Sequence, residues 1–213
     1  SDLAAGSGFQ VFEAVIAGGG EVRAINAKGC GGFSRREIEE LTQFVAPFGA
    51  KGLAYLALPE SGELRSSFAK FVAAERLEAL QARLEAAPGD LLLFVADQQA
   101  VVLESLARLR SQLAVRLGLH DTKLLSFCWV IDFPLVLWNE QQGRWDPSHH
   151  LFTAPLPEDV HWLDHEPGRA RGQQYDVVLN GGETAGGSIR IHDRALQERI
   201  FQLIGLELET AQQ

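Results

Sequence analysis

Four places in the chain collect side chains able to do chemistry. The most informative runs from Tyr175 to His192. There Asp176 and Glu183 flank a glycine-rich turn, and Arg190 follows in Gly186-Gly-Ser-Ile-Arg-Ile-His192. Two carboxylates and a guanidinium suit a divalent cation carrying a nucleotide, together with an anion gripped bidentately by the arginine. The small residues Thr184-Ala-Gly-Gly187 leave room for a ligand against the backbone. The same spacing is met by a plain Arg190–Glu183 salt bridge on a sheet face. A second place is His149-His150 ahead of Phe152-Thr153. On a strand such neighbours face opposite ways, so at most one of them serves a given site. A third is His161 with His165, an i,i+4 pair that could hold zinc on an α-helix. No third ligand follows, however, and Pro167-Gly168 ends the segment. The fourth is Asp132 inside the apolar run Trp129-Val-Ile-Asp-Phe-Pro134. A lone carboxylate there is costly to bury, so it is expected to cap a turn or pair with an arginine.

The elements that must position these groups fall into two textures. Phe9-Gln-Val-Phe-Glu-Ala-Val-Ile16 reads as a strand closing on Gly18-Gly-Gly20, and Glu21–Asn26 alternates as a half-buried strand does. Ser34 and Glu37 form a capping box, followed by a helical face of Ile38, Leu41, Phe44, Val45 and Phe48. Lys51–Leu58 reads as a strand, Ser67–Ala86 as a helix, Leu91–Ala96 as a fully buried strand and Gln99–Leu117 as a third helix. Beyond a boundary near 122, Leu125–Trp138 reads as a long strand interrupted by Asp132 and Pro134. Tyr175–Asn180 and Gly187–His192 read as two strands about the turn Gly181-Gly182, and a last helix is capped by Asp193. The expected class is α+β, with a compact unit over 1–122 and a second over 123–213. Three strands and a helix are too few for an independent enzyme core.

Composition narrows the function classes. The 213 residues are 46% hydrophobic and 22% charged, an ordinary globular balance with material for a core. With 19 basic against 28 acidic side chains the net charge is −9, which argues against gripping nucleic acid by bulk charge. Arg35, Arg36, Lys51, Lys70 and Arg76 nonetheless offer a local basic patch in the first unit. No apolar run is long enough to span a membrane. Cys30 and Cys128 stand far apart without CxxC spacing, which fits a reducing compartment better than a disulfide framework. The chain contains no methionine, so an excised internal piece of a longer protein is expected.

Trp129-Val-Ile-Asp-Phe-Pro134, His149-His-Leu-Phe-Thr-Ala-Pro155, Tyr175-Asp-Val-Val-Leu-Asn-Gly181 and Gly187-Ser-Ile-Arg-Ile-His192 together resemble bacterial-type aspartyl-tRNA synthetases, class II enzymes. Phe44–Ala57 resembles the domain these enzymes insert into their catalytic domain, a relative of which occurs in tRNA-dependent amidotransferases. The resemblance implies an insertion domain over 1–122, then part of a class II antiparallel sheet with a helix. It implies an aspartate–tRNA ligase that activates L-aspartate with ATP and Mg²⁺ and transfers it to tRNA. The parent enzyme would be a cytoplasmic homodimer. Carried over residue by residue, His149 and Arg190 bind L-aspartate, Glu183 binds ATP through Mg²⁺, and Asp176 assists the metal. No residue is assigned as a catalyst. The three class motifs, with the arginines that grip ATP, do not occur between Ser1 and Gln213, so the isolated chain is expected to be inactive. Two departures are visible: Leu151 replaces a usual proline, and Thr184-Ala185 replaces a small apolar residue and a third glycine. The alternative is a free-standing, non-catalytic module descended from the synthetase that binds tRNA or a protein partner.

Overall fold

A computed structural model describes residues 1–119, 121 and 123–206. The chain divides into two compact units, Ser1–Asp121 and Thr122–Gln213. The first contains α1 (Gln10–Ala17), β1 (Glu21–Ala27), α2 (Arg35–Val45), β2 (Ala54–Ala57), β3 (Arg65–Ser66), α3 (Ala74–Arg83), β4 (Leu91–Asp97) and α4 (Gln99–Arg116). Its four strands form an antiparallel sheet in the order β1-β4-β2-β3. The central β4 is buried on both faces, which is why its sequence is unbroken apolar rather than alternating. Leu91, Leu93 and Val95 pack with Ile38, Leu41, Val45, Val102 and Leu109 of α2 and α4. Leu92 and Phe94 pack with Phe12 of α1, Leu80 of α3, and Phe68.

Two expectations fail in this unit. Residues 10–17 are helical, not extended. The β-branched content of this segment favours a strand, but Phe9, Phe12 and Ile16 make one helical face over the sheet, with Phe12 buried to 1%. Glu13 reaches back to the Gly8 amide at 3.1 Å, and Gly19 ends the helix at φ 78°. Residues 67–86 are not one helix either. The Ser66 hydroxyl accepts from the Phe68 and Ala69 amides, tightening Ala69–Phe71 into a 3₁₀ turn. Val72 is then extended, and α3 begins only at Ala74. The capping box forms as expected, Ser34 accepting from Glu37 and Glu37 from Ser34.

The second unit contains β5 (Phe127–Val130), β6 (Val136–Asn139), β7 (Arg144–Pro147), β8 (Gln174–Leu179), β9 (Gly182–Ser188) and α5 (Arg194–Leu203), with 3₁₀ helices at Pro157–Asp164 and Pro167–Arg169. Strands β5-β8-β9 form one antiparallel sheet and β6-β7 another. A small core of Leu135, Val136, Leu163, Ala170, Ile200 and Ile204 lies beneath α5. The long apolar run thus contributes strands to two different sheets. The break falls at Asp132, whose φ is 61°, and the expected arginine partner is Arg171 at 3.4 Å. The second strand of the hairpin is 182–188 rather than 187–192. Its turn is Asn180-Gly181, at φ 50° and 84°, the paired positive values of a type I′ hairpin. A strand made of Gly, Glu, Thr, Ala and Ser has no apolar alternation to reveal it. Helix α5 starts as expected, Asp193 accepting from the Leu196 amide at 2.7 Å.

Candidate active site

Strands β8 and β9 create the acidic half of the site. Asp176 pairs with Gly186 and Val178 with Glu183, so Thr184 is an extra residue bulged out of β9. Regular pairing would set Glu183 opposite Leu179, facing away from Asp176. The bulge shifts the count by one and turns Glu183 to the Asp176 face. A Cβ on Gly186 would stand 2.7 Å from Asp176 Oδ1 and 3.1 Å from Glu183 Oε1. Both oxygens therefore crowd the space a side chain would fill, and those two distances bound their separation at 5.8 Å. Gly187 serves the opposite face, where a Cβ would stand 2.7 Å from the Tyr175 hydroxyl. The Tyr175 ring in turn packs edge-on against Trp129 at 5.5 Å. The glycine pair thus makes room first of all for the chain's own carboxylates and tyrosine.

The basic half lies where the extended chain runs on past β9. Arg190 bridges to Thr153, the Ile191 amide donates to the Phe152 carbonyl at 2.9 Å, and the Ala154 amide donates to that of Ile189 at 2.8 Å. Counting by twos, Gly186, Ser188 and Arg190 fall on one side of the chain. The Arg190 guanidinium lies over the Phe152 ring, 4.5 Å from its centroid. His150 stacks on the same ring at 5.1 Å and 17°, and the rings of His149 and His150 are 4.3 Å apart. The two histidines do not sit on a strand with opposed faces. They occupy a bend, where nothing enforces alternation, and lie against each other. Gln197 of α5 fixes this loop by donating to the Leu151 carbonyl at 2.9 Å, at the position where proline is absent.

Electrostatic bookkeeping separates these groups from their surroundings. The second unit has six arginines. Arg144, Arg169, Arg171, Arg194 and Arg199 each pair with a carboxylate. Among the described residues, Arg190 does not, and neither Asp176 nor Glu183 has an ion-pair or side-chain hydrogen-bond partner. The simple Arg190–Glu183 salt bridge is therefore not formed. Arg171 is the opposite case. Its Nε donates to Asp159 Oδ2 at 2.7 Å, and Glu158 and Asp132 each lie 3.4 Å from the guanidinium. The Arg171 hydrogen bonds hold the Asp159 carboxyl below the usual carboxylate range, against the opposing effect of burial.

Residues 157–164 are 3₁₀-helical, so His161 and His165, four apart at three residues per turn, diverge by a third of a turn. No group of three or more metal-ligating side chains occurs among the described residues. The basic patch is largely spent internally: Arg36 pairs with Glu40, Lys51 with Asp97, and Arg76 donates to the Leu3 and Ala5 carbonyls. Cys30 is buried and Cys128 exposed, both as free thiols. No described helix is long and apolar enough to cross a membrane.

An antiparallel sheet with helices on both faces is joined in sequence to a unit that carries unpaired charges of both signs. Residues 12–106, within the first unit, match the GAD domain family. The chain as a whole is similar to aspartate–tRNA ligases. It is 49% identical to the aspartate–tRNA(Asp/Asn) ligase of Geotalea uraniireducens over 99% of the chain and 35% of that relative. It is 54% identical to that of Heliobacterium modesticaldum over 96% of the chain and 34% of the relative. With the aspartate–tRNA ligase of Ruminiclostridium cellulolyticum it shares 46% over 99% and 36%. The chain spans about a third of the length of these curated relatives.

Proposed function

We propose that the chain is part of an aspartate–tRNA ligase, with the GAD unit (1–122) as the domain inserted in the catalytic domain and 123–213 as part of the class II antiparallel sheet. The observation that carries the reading is Arg190, the one described arginine of its unit left without a carboxylate. Its planar fork matches the side-chain carboxylate of L-aspartate, a geometry lysine does not offer. Asparagine, lacking that charge, is selected against. His149, exposed beside this array, donates to the same substrate.

Activation joins the α-carboxylate of aspartate to the α-phosphorus of ATP and releases pyrophosphate, so two anions must meet. Asp176 and Glu183 would hold Mg²⁺. Two uncompensated carboxylates about a vacant Cβ position suit an ion that takes its remaining ligands from water and phosphate oxygens. When bound, the ion offsets the charge that accumulates on the phosphates. Arg190 and His149 keep the amino acid oriented while that happens. Transfer to tRNA follows, in a cytoplasmic, homodimeric whole enzyme. The apolar residues Phe127 and Trp129 on the outer strand β5 are 62% and 65% exposed, as expected of a sheet that continues into further chain.

The test is aspartate-dependent exchange of pyrophosphate into ATP by the complete ligase polypeptide, with Arg190→Lys and Glu183→Gln variants. Loss of aspartate saturation in the first and of ATP-dependent exchange in the second supports the assignment. Wild-type exchange in either variant removes that residue from the site. The 213 residues alone are expected to show no exchange, and a measurable rate would overturn that expectation.

A further inference from the structure

We propose that Phe152 is the positioning residue that pre-orients Arg190 without neutralising it; this rests on the reading of Arg190 as the substrate-carboxylate anchor. The other five arginines of the unit are oriented by carboxylates, and each such pair spends the charge it orients. Arg190 is oriented instead by a ring. The guanidinium lies over Phe152 at 4.5 Å, a contact that is attractive through the ring quadrupole and leaves the full positive charge in place. Unlike a carboxylate, a ring takes up none of the guanidinium N–H donors, and those donors make a bidentate bond to a carboxylate. Even Arg169, which lies over Trp162 at 3.6 Å, is additionally paired with Glu166. Arg190 has the ring alone.

The backbone makes the contact reproducible. Residues 152 and 190 lie on adjacent segments tied by the Ile191-to-Phe152 hydrogen bond and the Thr153–Arg190 bridge. Phe152 is itself held by His150 stacked on its ring. A free arginine loses rotamer freedom when it captures a ligand, and one already laid on a ring has lost part of it beforehand. The prediction is thus on substrate affinity and not on the chemical step.

Two measurements decide it. In the 213-residue chain, the Arg190 Nε–Hε NMR signal, assigned through Arg190→Lys, should lie upfield under the ring current of Phe152. It should return to the ordinary arginine position in Phe152→Leu and stay upfield in Phe152→Tyr. In the complete ligase polypeptide, Phe152→Leu should raise KM for aspartate about ten-fold, with kcat and KM for ATP within about two-fold of wild type. Phe152→Tyr should restore the aspartate KM. An unmoved Arg190 signal in Phe152→Leu overturns the proposal, as does an unchanged aspartate KM. A parallel fall in kcat and ATP affinity also overturns it, because it assigns the ring a merely structural role. If unmodified enzyme shows no aspartate-dependent exchange, the ligase reading fails, and the NMR result alone decides whether Phe152 orients Arg190.

Discussion

Replacing Gly186 by alanine should separate cation binding from stability. The new methyl would stand 2.7 Å from Asp176 Oδ1 and 3.1 Å from Glu183 Oε1, where ordinary contact begins near 3.4 Å. The Asp176 oxygen must therefore withdraw by about 0.7 Å and that of Glu183 by about 0.3 Å. Metal–oxygen distances tolerate only about ±0.2 Å, so a cation held by both carboxylates loses at least one of them, an effect of about ten-fold or more in affinity. Folding should not suffer. Both groups that move are the ends of flexible side chains, and two carboxylates no more than 5.8 Å apart repel by roughly 0.7 kcal/mol in a water-like medium. Alanine also restricts the unfolded chain, a gain of about 0.5 kcal/mol at a compatible strand position. The assay is Mn²⁺ titration of the 213-residue chain, followed by paramagnetic broadening of the Asp176 and Gly186 amide signals, alongside thermal unfolding. Weaker broadening at unchanged or higher Tm is the expected pair of results. Wild-type Mn²⁺ affinity in the variant would refute the claim that the space above Gly186 gathers the two carboxylates around a cation.

Ser34→Ala removes an N-cap and should cost about 1 kcal/mol in urea unfolding of the first unit; an unchanged midpoint would mean that the cap is redundant with the Arg116–Glu37 pair at 2.6 Å. Because Asp159 is held below the ordinary carboxylate range by Arg171, its contribution to stability is fully present above the unfolded carboxyl value and fades as pH falls through the folded one. Asp159→Asn should accordingly lower the second unit's stability at pH 7, and the gap from wild type should close on acidification; a pH-independent gap would contradict the linkage. A thiol reagent should modify only Cys128 in the native chain and both cysteines after denaturation, since Cys30 is fully buried and burial pushes its thiol pKa up. Rapid native labelling of two thiols would count against the packing around Cys30.

Local sequence signals determined those parts of this protein where one physical effect dominates. Leu91–Ala96 reads as a strand buried on both faces, Ser34 with Glu37 marks a helix start, and Asp193 caps another, because each pattern satisfies its own backbone or burial requirement within a few residues. Asp176, Glu183 and Arg190 could be singled out as candidates because two carboxylates and a guanidinium fall around small residues, a spacing that a plain salt bridge would meet equally well. Tertiary structure decided the rest. Residues 10–17 became a helix because Phe12 is worth more beneath the sheet than β-branching is worth in a strand. The glycine-rich stretch became β9 because its partner β8 supplies the hydrogen bonds, a long-range fact with no local trace. The Thr184 bulge decided which way Glu183 faces, since one extra residue in a period-two element reverses a side chain. Phe152 looked like an ordinary apolar residue until backbone pairing between segments almost forty residues apart laid Arg190 across it. Sequence names the groups that carry charge, and only the pairing of distant segments determines which of those charges are left free.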